Sequence, residues 1–170
     1  RKVELSAFCL DITEVTVRLH AMPDAMRFPE AAAFPVVYPT SYAGLVDRAN
    51  LRAGETLLVH AAAGGVGVAA VQIGKALGAR VIATAGGADK LEVARRAGAD
   101  LAIDYSSGDW VEAVKQATGG KGADVIYDPV GGEQTEALWT CAAVGGRYIP
   151  VGFNDDPESG LTGRPLRKVS

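Results

Sequence analysis

The chain is poor in the residues that build metal sites and disulfide frameworks. Its 170 residues hold two cysteines, Cys9 and Cys141, and two histidines, His20 and His60. Two thiols cannot make a disulfide scaffold or a four-ligand zinc site from Cys alone, so no metal is expected and a reducing compartment fits. Aromatic residues are scarce at 6%, too few for a base-stacking platform. Seventeen Lys and Arg against twenty Asp and Glu leave a net charge of −3, so no basic surface for nucleic acid is indicated. No run of 18 apolar residues is present, and residues 1–10 lack a basic stretch followed by a long apolar core. Neither a membrane span nor a signal peptide is expected, and the expected location is cytoplasmic.

What remains is an ordinary globular composition, 48% hydrophobic and 22% charged, at a length that suits one domain or one domain with part of a second. Residues 11–20 alternate as a half-buried strand does, with Thr13, Val15, Val17 and Leu19 on one side. Residues 21–26 read as a turn. A short helix is expected over 28–34, with Pro29 at its first position, and a second over 38–49, started by Pro39 and Thr40.

From residue 56 the pattern becomes regular. TLLVHA (56–61) is a continuous apolar run, as in a strand covered on both faces of a parallel sheet. Further strands are expected over 79–85, 99–104, 123–130 and 146–152. Helices are expected between them, over 64–77, 89–97, 109–118 and 133–141. Gly78, Gly98 and Gly119 follow the first three of these, where a helix ends. Alternation of this kind implies right-handed crossovers and a doubly wound α/β domain of the Rossmann type: about five parallel strands, with helices on both faces. Three segments result: 1–25, a remnant of another domain; 26–153, the α/β domain; and 154–170, a polar tail rich in Gly and Pro.

The informative stretch runs from strand to helix through HAAAGGVG. Ala62, Gly64 and Gly67 occupy the three small positions of a dinucleotide-binding turn. Ala62 stands where the first glycine permits the turn, Gly64 lets backbone approach a pyrophosphate, and Gly67 lets the helix pack on the strand. The helix N-terminus then offers unpaired N–H groups to the phosphates. Where NAD-binding chains carry an acidic residue on the ribose, this chain reads Thr84, Ala85, Gly86, Gly87. A 2′-phosphate fits beside the small Gly86, with Lys90 as cation and the Tyr105 hydroxyl from the neighbouring loop. Asp89 offsets part of that charge. NADPH is therefore the expected cofactor.

FPEAAAFPVVYPTSY, HAAAGGVGVAAVQIGKALGARVIATAGGADK, GADLAIDYSSGDW and GADVIYDPVGG together resemble the zinc-independent quinone oxidoreductases, a branch of the medium-chain dehydrogenase/reductase superfamily that includes zeta-crystallin. The likeness covers about residues 21–153. It implies that Gly64, Gly65, Val66 and Gly67 form the pyrophosphate turn, with Val66 also packing behind the nicotinamide. It implies that Gly86, Lys90 and Tyr105 lie on the 2′-phosphate side and that Thr40 lies near the nicotinamide amide. Val130 and Gly131 would form a loop over the adenosine and ribose, and Val151, Gly152 and Phe153 a loop beside the nicotinamide. Zinc-dependent relatives place a cysteine near Pro35, Val36 and Val37, where this chain has no ligand type.

Members of that branch are about twice as long and carry a barrel-like N-terminal substrate domain, of which only the strand over 11–20 is expected here. The strand they use for dimer pairing does not follow Phe153, residues 1–10 do not fit their pattern, and the chain resembles a truncated product. The implied activity is hydride transfer from NADPH to a quinone or an α,β-unsaturated carbonyl. No catalytic acid is assigned: Tyr38 and Tyr42 are the nearest hydroxyls, and both suit packing roles better. Two rival expectations stand beside this one, an NADPH-binding module without turnover and an interaction protein using the open edge of the fifth strand, through which a homodimer can also form. His60 is expected to pack or hydrogen-bond, Cys9 and Cys141 to be inert, Trp110 and Trp139 to lie on helix faces in the core, and Asp128 to shape a turn on the cofactor side.

Overall fold

The structure is a computed structural model that describes residues 2–5, 8–11, 28–132 and 134–152. A short antiparallel hairpin pairs β1 (Lys2–Leu5) with β2 (Phe8–Asp11), with Leu5 opposite Phe8. The sequence pattern over residues 1–10 did not announce it. The alternating segment expected over 11–20 lies, beyond Asp11, outside the described residues, as do the turn over 21–26 and the tail over 154–170.

Helix α1 spans Phe28–Tyr42 in one piece and runs directly into a widened, π-helical segment, Ala43–Arg48. The two separate helices expected over 28–34 and 38–49 are thus one. Pro35 and Pro39 each lack an N–H for the helix ladder, a cost that usually breaks a helix at about 3 kcal/mol. Here tertiary contacts hold the rod together. The Tyr38 hydroxyl donates to Gln72 Oε1, Ser41 Oγ donates to the Val66 carbonyl at 2.9 Å, and Val37 Cγ1 stands 3.1 Å from where a Cβ on Gly65 would be. Beyond Tyr42 the backbone bonds lengthen their reach, Ala49 N–H to the Gly44 carbonyl and Leu51 N–H to the Leu45 carbonyl, both at 2.9 Å.

The regular part follows as β3 (Thr56–Val59), α2 (Gly65–Ala76), β4 (Arg80–Ala85), α3 (Ala88–Arg96), β5 (Leu101–Asp104), α4 (Trp110–Ala117), β6 (Ala123–Asp128), α5 (Gln134–Trp139) and β7 (Ala142–Pro150). The five strands β3–β7 form one parallel sheet in the order β5-β4-β3-β6-β7. Most expected boundaries shift by one or two residues. Strand β7 moves more, beginning at Ala142 rather than 146, with an irregular register opposite Ala123 and Val125. Gly145, at φ +76, lies within it and takes a backbone conformation that other residues avoid.

Both faces of the sheet are covered, which is why β3 reads as an unbroken apolar run. Leu57 and Val59 pack with Val71, Ile73, Val81, Val125 and Tyr127 on the side of α1 and α2. Leu58 faces the other way, with Ile82, Ile103, Trp110, Val114, Ile126 and Leu138. Strands β3 and β6 are sequence-distant neighbours from which the chain winds in opposite directions, so a crevice opens outside their carboxyl ends. Leu58 is fully buried at the centre of the second layer. Truncating such a leucine costs about 2–5 kcal/mol. The variant Leu58→Ala is therefore expected to lower the melting temperature by roughly 5–15 °C in a thermal unfolding scan, at about 2–4 °C per kcal/mol for a chain of this size.

Candidate functional site

Strand β3 ends at Val59, two residues before the sequence pattern suggests, because the chain turns at once. His60 N–H still bonds the Tyr127 carbonyl and Ala62 N–H the Thr84 carbonyl, both at 2.9 Å, so the turn is anchored to strands on both sides. Its left-handed residue is Ala61, at φ +47, rather than Ala62, which is fully buried. The Ala61 carbonyl accepts the Gly64 N–H at 3.1 Å. Gly67 closes the motif: a Cβ there would stand 2.7 Å from the Ala61 oxygen and 2.8 Å from the Ala62 Cα. Both are backbone atoms, so nothing can swing aside.

Gly64 is the N-cap of α2 in an extended conformation, and no side chain caps the helix. Gly65, Val66 and Gly67 are its first three residues, whose N–H groups have no partner within a helix. A Cβ on Gly64 would meet only the Ala61 oxygen, at 3.6 Å. The space above Gly64 is therefore open, and the uncapped amides beside it carry the positive end of the helix dipole. These residues fit a diphosphate-bearing cofactor.

On the β4 side, the Tyr105 ring covers Gly86, and a Cβ on Gly86 would lie 3.0–3.2 Å from Cε2, Cζ and the hydroxyl oxygen. Lys90 is exposed in the first turn of α3. One carboxylate at this corner escaped the sequence analysis. Asp104 ends β5 opposite Ala85, and its oxygens accept the N–H groups of Gly87 (3.3 Å) and Ser106 (2.9 Å) and the Ser106 hydroxyl (2.5 Å). The Ser106 hydroxyl first, then the two backbone amides, hold the Asp104 carboxyl below the usual carboxylate range. Parallel pairing of β4 with β5 was the available sign, since it brings the ends of the two strands side by side.

On the β6 side one residue ties two loops. Asp128 is fully buried, and its Oδ1 accepts the N–H groups of Val130 (2.9 Å) and Gly131 (3.0 Å). The Asp128 carbonyl accepts Val151 N–H at 2.8 Å, and Oδ2 accepts the Tyr148 hydroxyl at 2.5 Å. Gly152 sits hard against the first loop, where a Cβ would meet the Pro129 oxygen at 1.9 Å. Val130, Gly131, Val151 and Gly152 are thus brought together, while Phe153 lies outside the described residues. Burial, then the Asp128 carboxylate, pushes the Tyr148 phenol upward, which keeps it protonated as a donor.

Helix α1 supplies the remaining wall. Thr40 is exposed, its hydroxyl donating to the Val36 carbonyl at 2.7 Å. Its neighbour Ser41, which the sequence did not single out, is buried and joins α1, α2 and β6: it donates to the Val66 carbonyl and takes the Tyr127 hydroxyl at 2.9 Å. Tyr38 spends its hydroxyl on Gln72, and Tyr42 is a core residue at 7% exposure. Cys141 and Trp110 are buried, and Trp139 packs edge-on against Tyr148. Burial raises the Cys141 thiol, which leaves it poorly nucleophilic. Among the described residues no group of three or more His, Cys, Asp or Glu could hold a metal ion, and no helix is long and apolar enough to cross a membrane.

A strand order that reverses beside β3, with a glycine turn at the reversal, defines a Rossmann-type α/β domain. The family of zinc-binding dehydrogenases matches residues 65–169, and the chain belongs to that family, within the medium-chain dehydrogenase/reductase superfamily. It is 42% identical over 151 residues to highly reducing polyketide synthase 40 of Fusarium mangiferae, covering 86% of this chain and 6% of that protein. A solved NAD-dependent alcohol dehydrogenase superposes with a TM-score of 0.74 at 43% identity, over 79% of this chain and 40% of that one. The CurK enoyl reductase superposes with a TM-score of 0.72 at 34% identity, over 81% and 42%. The chain thus spans less than half the length of the proteins it resembles.

Beneath the site, His60 is 2% exposed, and burial lowers its pKa below the ordinary 6.5 despite the nearby Asp128 carboxylate, which acts the other way. The unfolded chain takes up a proton near pH 6.5 that the folded chain refuses, so stability present above that pH is lost as pH falls toward the lower folded value. Acidification from pH 7 to 5 is expected to lower the stability measured by urea unfolding, by at most about 1.4 kcal/mol per pH unit. In His60→Phe this slope flattens. The lowered carboxyls of Glu55, Asp100 and Asp104 act only further into acid.

Proposed function

We propose that this chain is the nicotinamide-cofactor-binding part of a reductase acting on activated C=C or quinone substrates, with NADPH as the cofactor. The observation that carries this is the contact of Gly67 with Ala61 and Ala62. It is tolerable only for glycine, and it presents the uncapped start of α2 to an open space above Gly64. The resemblance to polyketide synthases and to an enoyl reductase supports an enone as the substrate class. The quinone oxidoreductase branch remains our assignment on the residues of the glycine turn and the YDPVGG loop.

NADPH, when bound, supplies the hydride; the protein's part is to hold and orient it. The amides of Gly65, Val66 and Gly67 bind the diphosphate, and the Val66 side chain, packed on the core behind them, backs the nicotinamide ring. The Asp128-tied loops at Val130–Gly131 and Val151–Gly152 flank the cofactor, and Thr40 borders it from α1. Phe153 is assigned to the same flank on the sequence resemblance. Lys90 and the Tyr105 hydroxyl meet the 2′-phosphate beside Gly86. No residue of the described chain is placed as the proton donor. The substrate wall is assigned to a further domain that includes residues 1–25, with 26–153 the cofactor domain; a homodimer through the open edge of the sheet is a partner consistent with this plan.

Asp104 favours a second reading of the cofactor. Its carboxylate lies at the same corner and repels a 2′-phosphate, and one solved relative is NAD-dependent. Against it, both Asp104 oxygens are already engaged by Gly87 and Ser106. Isothermal titration separates the two. NADPH is expected to bind at least tenfold tighter than NADH, and Lys90→Ala to weaken NADPH about tenfold while leaving NADH unchanged; equal or inverted affinities assign the ribose to Asp104. Oxidation of NADPH with 9,10-phenanthrenequinone or a simple enone, on the same sample, tells a working reductase from a binding module without turnover.

A further inference from the structure

We propose that His60, buried beneath the glycine turn, is a positioning residue for cofactor discrimination, acting by fixing the Tyr105 ring over Gly86. The proposal rests on the assignment of the Gly86–Lys90–Tyr105 corner to the 2′-phosphate, and it gives a role to a buried side chain that the diphosphate turn itself does not use.

Tyr105 belongs to the turn after β5. Its backbone is tied to β4 by a bond from its N–H to the Ala85 carbonyl at 3.2 Å, but that bond leaves the ring free about its own side-chain torsions. On one side the ring is stopped by Gly86. On another stands His60, with its ring centroid 5.1 Å away at an interplanar angle of 40°. Trp110, at the start of α4, supports the His60 ring from 5.9 Å at 32°. His60 itself cannot turn freely, because its Nδ1 pairs with Thr84 Oγ1 at 2.8 Å, and Thr84 is fully buried in β4 two residues before Gly86. The chain of contacts runs from a β4 hydroxyl through a buried imidazole to a tyrosine ring lying on the β4 terminus.

An imidazole suits this place on two counts. A purely apolar ring would leave the Thr84 hydroxyl buried without its ring-nitrogen partner, and an aliphatic side chain would lose the tilted ring contact with Tyr105. Burial keeps the imidazole neutral, so it adds no charge of its own beneath the corner. A hydroxyl held in place before binding does not have to be ordered on binding, which is worth several-fold to about tenfold in affinity for a mobile side chain. Only a ligand that reaches this hydroxyl gains from it. NADH, lacking the 2′-phosphate, is indifferent, and the effect therefore falls on the ratio of the two affinities.

Two variants separate the ring from the hydrogen bond. His60→Asn keeps a polar partner for Thr84 and removes the ring, whereas His60→Phe keeps the ring and loses the bond. NADPH and NADH affinities are measured by isothermal titration on the wild-type chain and both variants, with melting temperatures alongside. A several-fold to tenfold loss of NADPH affinity in His60→Asn, with NADH unchanged and the wild-type ratio retained in His60→Phe, supports the proposal. An unchanged ratio in His60→Asn, or equal weakening of both cofactors, overturns it and leaves His60 a packing residue. Should His60→Asn fail to fold, Trp110→Leu takes its place and must shift the ratio in the same direction; no shift overturns the proposal. A wild-type chain that does not prefer NADPH overturns the assignment of the corner instead, and with it the proposal, so the two failures are distinguishable.

Discussion

The architecture depends on how closely the first turn of α2 approaches the end of β3. With a Cβ at Gly67 excluded by the Ala61 oxygen at 2.7 Å, the helix begins almost on top of the strand, and its first turn carries no side-chain cap. The turn that makes this possible carries a non-glycine residue, Ala61, in the left-handed region, at a cost on the order of 1 kcal/mol. Backbone bonds to Tyr127 and Thr84 on the two flanking strands hold it there. Local strain at the turn is thus offset by sheet pairing on both sides, which is available only at an interior strand. The glycine motif and the central position of β3 are one constraint seen twice.

The same logic extends to β6, the other strand at the reversal. Its last residue, Asp128, uses a carboxylate and a carbonyl to gather two loops that are distant in sequence, 129–131 and 151–152. Buried carboxylates are costly unless their oxygens are engaged, and here Val130, Gly131 and Tyr148 engage both. The contact between Gly152 and Pro129 then leaves no room for a side chain between the loops. A backbone-anchored turn on one strand faces a hydrogen-bonded pair of loops on the next, with the crevice between them.

Much of this was legible in the sequence, for a physical reason. A buried parallel strand must be apolar on both faces, so TLLV, RVIATA and ADVIYD stand out between helices that end in glycine. The pattern over 28–49 was less legible, because proline usually ends a helix and here docking onto α2 through Tyr38, Ser41 and Val37 overrides it. The glycine positions of the site could be read because each excludes a side chain. Its supports could not. Ser41, Thr84 and Asp104 reach the site through partners 25, 24 and 17 residues away along the chain, and no local pattern marks such pairs. The hairpin at residues 2–11 has too little periodicity in either strand to be seen at all.

The distribution of buried polar groups joins these observations. Among the described residues, the buried polar and charged side chains are Ser41, His60, Thr84 and Asp128. His60, Thr84 and Asp128 belong to the carboxyl ends of β3, β4 and β6 or the turn just beyond, and Ser41 is bonded to Val66 beside them. Elsewhere the two layers are apolar. Each of the four has a partner: Ser41 with Tyr127 and Val66, His60 with Thr84, and Asp128 with Tyr148 and two amides. An apolar core of equal volume would be at least as stable, since a satisfied buried hydrogen bond contributes only about 1 kcal/mol. What directional bonds add over apolar packing is position. Their concentration under one end of the sheet is what a site needs if its amides, loops and covering ring are to be held in place before any ligand arrives.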